Sequence, residues 1–293
     1  MTERHARLSL LAVVAGAALA AQARVNGALA TRVGDAVVAA LVSFTAGSVV
    51  LVSLALATGR WRAAARLRTG TRWWWWLGGL CGASLVASSA VAVPEVGVAL
   101  TSVAIVAGAT TGSLVVDRLG LSPRGHQPLT APRLIGAAIA VAGLAVGSLG
   151  RGGEVRPLLL AVVGAAGFAT AAQQAANGHL HRRSGEPLVA ASVSFLVGTL
   201  ALAVAVLALR PALHGWPANP GLYLGGLGGA AYIALGALAV GRLGVLRLTL
   251  GTVAGQLAFG VVLDAVVPTG GGLRPASVLA ACCTLVAVLV ASQ

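Results

Sequence analysis

Long uninterrupted apolar runs, separated by short segments that collect the arginines, dominate the chain. Ten such stretches can be traced, at about 8–30, 36–57, 73–93, 96–116, 133–149, 157–179, 187–209, 221–241, 245–266 and 275–291. Most have 17 to 23 residues, the length an α-helix needs to cross about 30 Å of hydrocarbon. Apolar and polar positions do not alternate within them, which excludes a membrane β-barrel, whose strands change character at every residue. The pattern predicts an all-α membrane protein with ten transmembrane helices.

Composition narrows this further. The residues AVILMFWYC make up 58% of the 293 positions and charged residues 9%, against about 25% charged in soluble domains. Mean hydropathy is +0.92. So few charges cannot cover a soluble surface, so a soluble enzyme, a disordered chain and a coiled coil are excluded. The net charge of +13 would suit nucleic acid if it were clustered. It is carried by 20 arginines and no lysine, mostly between apolar runs, which is the pattern of membrane topology, and nucleic acid is set aside. With a cytoplasmic N-terminus, 14 arginines fall on the cytoplasmic side and 6 on the other. The positive-inside rule then expects both termini in the cytoplasm, in the plasma (inner) membrane. The first stretch is not a clear signal peptide, because Arg24 and Asn26 follow its apolar run. Cys81, Cys282 and Cys283 lie within apolar segments without metal-ligand spacing.

The two halves of the sequence repeat. Gln22, Asn26 and Gly27 match Gln173, Asn177 and Gly178 at an offset of 151, which continues through Gly34/Gly185, Ser43-Phe44/Ser194-Phe195 and Gly47/Gly198. The offset then becomes 147, for Leu77-Gly78-Gly79-Leu80 with Leu224-Gly225-Gly226-Leu227, Gly97 with Gly244, Val106-Ala107-Gly108 with Val253-Ala254-Gly255, and Asp117 with Asp264. The expected units are 1–150 and 151–293, joined in one transport domain. Five spans is an odd number, so the second unit starts from the opposite face and the repeats are inverted. The loop after the second span carries five arginines, Arg60 to Arg72, whereas its counterpart 210–220 carries only Arg210.

The motif Gln-x-x-x-Asn-Gly late in the first helix, followed by Val-Ser-Phe-x-x-Gly in the second, resembles the drug/metabolite transporter superfamily. More narrowly, it is similar to the YdcZ-type branch of inner-membrane exporters. Members of that branch are often single five-helix units, and this chain looks like two of them fused. Val253-Ala254-Gly255-Gln256, followed by Asp264, fits the same pattern. The first half departs from it, with Ala109 where Gln256 stands and Glu95 where Arg242 stands. The resemblance implies secondary transport, in particular export of small organic solutes or metabolites by alternating access. A lipid or hydrophobic-metabolite flippase and a non-transporting membrane subunit are the alternatives.

Polar residues within apolar stretches are the site candidates. Gln22 and Asn26 are four residues apart and share a helix face, as do Gln173 and Asn177. They either line the substrate pathway or bond helices together, with Gly27 and Gly178 allowing close approach. Gln256 is a further pathway candidate. Glu95, beside Pro94, is either a carboxylate that couples transport to a proton or a turn residue. Arg24 suits the outer headgroups, Arg242 and Arg247 a cytoplasmic loop, and Asp117 and Asp264 helix ends. The run Trp73 to Trp76 beside Arg72 suits an interfacial anchor. The glycine clusters at 78–82 and 225–229 suit close helix packing and lack the Lys-Ser/Thr of a phosphate loop, and Gly270 to Gly272 suit a loop. The five histidines form no catalytic or metal arrangement recognisable from spacing, and His179 and His181 suit the interface. No enzyme activity, metal or cofactor is expected. The expected partners are a small-molecule substrate and the bilayer, and a homo-oligomer is compatible with the sequence.

Overall fold

The computed structural model describes residues 3–123, 125–149, 157–268 and 273–291, with the backbone alone for 3–9, 149, 233–250 and 291. The described residues are helical and contain no strand. Among the described residues eight α-helices run in order: α1 (Glu3–Val33), α2 (Ala36–Ala57), α3 (Gly78–Arg118), α4 (Ala131–Leu149), α5 (Pro157–Ser184), α6 (Pro187–Leu209), α7 (Gly225–Val266) and α8 (Pro275–Ala291). Short 3-10 turns at Arg60–Arg68 and Trp73–Leu77 lead from α2 into α3, and one at Pro220–Tyr223 leads into α7. Among the described residues, six helical segments are long and apolar enough to cross a membrane, with shorter apolar helices at Gly251–Val266 and Pro275–Val290. Leu54 and Leu56 of α2 and Leu200, Val204 and Leu207 of α6 are exposed. Helices that are apolar on their outward face as well as their inward face belong in lipid.

The helix ends follow from local chemistry. Between α1 and α2, Gly34 takes φ 89°, and Asp35 accepts the Val38 amide at 2.8 Å, capping α2. Between α5 and α6, Gly185 takes φ 79° and Pro187 opens α6, where a missing N–H costs nothing. These two turns stand at the same offset of 151.

The sequence expects a break between 93 and 96, and α3 changes direction at a single residue, Gly97 (φ 81°, ψ 168°). Only glycine adopts that geometry cheaply, and the helix resumes at the next residue. Asp264 of α7 lies against this break. Its carboxylate accepts the Val98 and Ala99 amides, each at 2.8 Å, and so caps the second arm of α3. The two arms lie side by side along α5. Gly78 and Gly82 sit against Asn177 and Gln173; on the return, Gly108 meets Gly164, Gly112 meets Phe168, and Val116 packs with Ala171 and Ala175. The sequence also separates 221–241 from 245–266; the helical assignment Gly225–Val266 runs across both, as Gly78–Arg118 runs across the break in α3.

Packing is reciprocal: α1 lies against α7 and α5 against α3, while α2 pairs with α6 and α4 with α8. Lipid is as apolar as leucine, so these contacts depend on close backbone approach and on hydrogen bonds. Gly79 lies on the Ser194 carbonyl and Gly226 on the Ser43 carbonyl, where a Cβ would collide with backbone.

Candidate functional site

The amide pairs, the serines of the Ser-Phe motifs and the glycine clusters converge on the α2–α6 contact. Phe44 stacks on Phe195 with centroids 4.9 Å apart and planes inclined by 28°, a pair worth about 1 kcal/mol beyond its buried area. One turn further, the Ser48 and Thr199 hydroxyls are 2.9 Å apart. Both contacts join residues separated by 151 positions, so each residue faces its own equivalent. Gly47 faces the Phe195 ring edge and Gly198 the Phe44 ring edge. Only a glycine leaves room for the ring at each position.

Around this symmetric centre the amides bond unequally. Asn26 Nδ2 donates to Ser43 Oγ at 3.1 Å. At the equivalent serine of the second half, Gln173 Nε2 donates to Ser194 Oγ at 3.2 Å. The asparagine therefore holds the serine in one half and the glutamine holds it in the other. Gln22 and Asn26 are buried, at 8% and 1% exposure, whereas Gln173 and Asn177 are half-buried. Gln22 Oε1, Asn26 Oδ1 and Asn177 Oδ1 are buried without a hydrogen-bond donor. Each lies on a glycine instead: Gly229, Gly225 and Gly78, respectively. The first pair is thus packed against α7 and the second against α3.

The aspartates are unequal as well. Asp264 is 1% exposed and caps the break in α3, while its equivalent Asp117 pairs with the Arg133 guanidinium. Both make helix-end contacts, as the sequence expects. Glu95 is exposed, two residues before the Gly97 break, and follows Pro94, which packs with Val93 on Gly27 beside Asn26. Gln256 is buried on α7, where its backbone amide faces Gly16 of α1. The side chains of Arg242 and Arg247 and the run Gly270 to Gly272 lie outside the described residues.

The tryptophan run divides. Trp73 is 76% exposed, whereas Trp75 stacks on His179 at 4.7 Å with planes 4° apart. Among the described residues, cavities open at the surface in at least two places. One, of about 380 Å³, is an apolar groove between the second arm of α3, α4 and α5, with Gly164, Ala161 and Phe168 in its wall. The other, of about 740 Å³, lies among Pro123, Gln127, Gly178, His181 and Arg182. Sequence reasoning passes over Ser43, Ser194, Ser48 and Thr199 as functional groups. Their shared offset of 151 was the available signal.

A helical bundle with membrane-length apolar segments and two sequence-equivalent halves packed reciprocally defines a polytopic membrane protein. The family model described as "Putative inner membrane exporter, YdcZ" matches residues 7–146 and again 158–290, and the chain belongs to that family. Two matches spanning the chain fit two fused units. No curated protein matches the sequence. A solved structure, described only as "Crystal structure of protein", is similar over 99% of this chain and 97% of its own, with TM-score 0.57 and 19% identity. At that identity the likeness is one of fold.

Proposed function

We propose that the protein is a secondary exporter of small organic solutes in which two inverted five-helix repeats exchange conformations. Family membership supports export across the inner membrane. Contact geometry supports ten spans. Gly228 of α7 lies on Ala18 of α1, and Thr252 of α7 lies on Gly16. Twenty-four residues of straight helix would separate the two α7 positions by about 36 Å. Their partners stand two residues apart, so α7 folds back as α3 does. Reciprocal packing and the self-facing pairs Phe44/Phe195 and Ser48/Thr199 support a pseudo-two-fold axis through the α2–α6 contact. With an odd number of spans per repeat, that axis lies in the membrane plane, and the arginine bias puts both termini in the cytoplasm.

The observation that carries the mechanism is the unequal hold on the serines. Two halves with the same residues make different contacts, as expected when one of two mirror-related states is viewed. In the other state Gln22 would donate to Ser43 and Asn177 to Ser194, while Asn26 and Gln173 would be released. The amides then act as alternating interhelical bonds, and Gln22, Asn26, Gln173, Asn177 and Gln256 border the path that opens beside them. Glu95, exposed at the reversal of α3, is the carboxylate assigned to coupling. Purified protein in proteoliposomes tests this reading. Gradient-driven flux of an organic cation or amino acid from a substrate panel supports it; absence of flux across the panel, with the protein folded, counts against it.

The apolar groove favours one second reading, a flippase for lipids or hydrophobic metabolites. Its wall residues Ala161, Gly164 and Ala165 have the larger Leu10, Val13 and Val14 as counterparts in α1, so the two halves carry different side chains at these positions. Movement of a labelled lipid between leaflets, without solute flux, would select this reading.

A further inference from the structure

The segment joining α2 to α3 concentrates charge where two apolar helices end. It holds Arg60, Arg62, Arg66, Arg68 and Arg72, and no acidic residue occurs between Asp35 and Glu95. The 3-10 turn Arg60–Arg68 is seated by its apolar side. Leu67 is 2% exposed, in a cluster with Leu180, Val189 and Val193, and Trp61 packs against the Phe44 cluster. Two of the arginines are used within the protein. Arg66 Nη1 donates to the Ser184 carbonyl at 2.7 Å, and Arg60 Nε lies 3.9 Å from Glu186 Oε2. Arg62, Arg68 and Arg72 are exposed, and their guanidinium groups make no hydrogen bond or ion pair with any described residue. Trp73 follows directly and exposes 76% of its surface.

Three guanidinium groups without a side-chain partner among the described residues and an exposed indole therefore lie on one short rim, residues 62–73, that joins the apolar helices α2 and α3. An indole prefers the membrane–water interface because its ring is apolar and its N–H is polar. A guanidinium binds a phosphate oxygen pair through two parallel N–H bonds. The equivalent segment in the second half carries only Arg210, so the arrangement exists on one face of the protein.

We propose that Arg62, Arg68, Arg72 and Trp73 form a binding surface for the phosphate headgroups of anionic phospholipids in the adjoining leaflet. Lipid rather than a free anion is the occupant, because the rim is continuous with the lipid-facing ends of α2 and α3 and the indole needs an interface to rest in. Each arginine near an anionic surface contributes about five-fold to partitioning, so three contribute about 100-fold.

The surface is tested on the intact protein in a neutral detergent, by thermal unfolding with added phosphatidylglycerol, phosphatidylcholine of the same chains, or inorganic phosphate. Wild type should be stabilised by phosphatidylglycerol at concentrations where phosphatidylcholine and phosphate have no effect. The triple variant Arg62→Gln, Arg68→Gln, Arg72→Gln should fold normally and lose that stabilisation, with half-saturation moved about 100-fold higher. Native mass spectrometry should show fewer bound phosphatidylglycerol molecules on the variant. An undiminished response in the triple variant would overturn the assignment, as would equal responses to both lipids. Stabilisation by phosphate alone would overturn the lipid as occupant. None of these results depends on transport.

Discussion

Replacing one amide at a time should move the balance between the two states in a direction that depends on which amide is lost. In the state described, Asn26 holds Ser43 at 3.1 Å and Gln173 holds Ser194 at 3.2 Å. Asn26→Ala and Gln173→Ala each remove a bond present only in this state, worth about 1 kcal/mol between membrane helices. Each should shift the ratio about five-fold toward the exchanged state, and the double variant about 25-fold. Gln22→Ala and Asn177→Ala remove the bonds of the exchanged state and should shift the ratio about five-fold the other way. Spin labels at exposed Leu56 and Leu119, in a cysteine-free background reconstituted in nanodiscs, would report the two populations as two distances. The pairing is the sharp point. Sequence equivalence groups Asn26 with Asn177, whereas the geometry groups Asn26 with Gln173. A common shift for Asn26→Ala and Asn177→Ala, or an unchanged ratio in four folded variants, would refute the exchange and leave the amides as fixed packing contacts.

Other consequences follow from the same contacts. Asp264→Ala removes two charge-assisted bonds to the α3 backbone, a loss of about 2 kcal/mol. The unfolding temperature should fall by about 5 °C, and an unchanged melting curve would show that the Gly97 break needs no cap. Glu95→Gln should abolish gradient-driven transport while sparing substrate exchange; unaltered driven transport would reduce Glu95 to a turn residue. Gly164→Val should fold, since the nearest atom to a Cβ there is the Ala104 carbonyl at 3.8 Å. Solute flux should survive this change, and its loss together with gained resistance to apolar inhibitors would move the pathway into the groove.

The helical character and the repeat are legible in the sequence because lipid imposes a length and because duplicated polar residues resist chance matching. The break at Gly97 is also foreshadowed by Pro94 and by the equivalent glycine at 244. The choice of amide for each serine is not legible. Gln22 and Asn26 share one face with the same spacing as Gln173 and Asn177, so local pattern treats the halves alike. Only the tertiary arrangement decides which amide reaches the hydroxyl. The groove is invisible for a related reason, since Gly164 becomes a cavity wall only when the second arm of α3 lies against it. The role of Asp264 depends on a partner more than 160 residues away, and the sequence signals only that a carboxylate ends a span.

If the two halves are inserted in opposite senses, their equivalent loops lie on opposite sides of the membrane, and side-specific labelling separates them. Single cysteines at exposed Ala65 and Ala212, in a cysteine-free background in intact cells, are treated with a membrane-impermeant maleimide before and after permeabilisation. Ala212→Cys should be labelled at once and Ala65→Cys only after permeabilisation. Labelling of both from the same side would mean that the halves share one orientation.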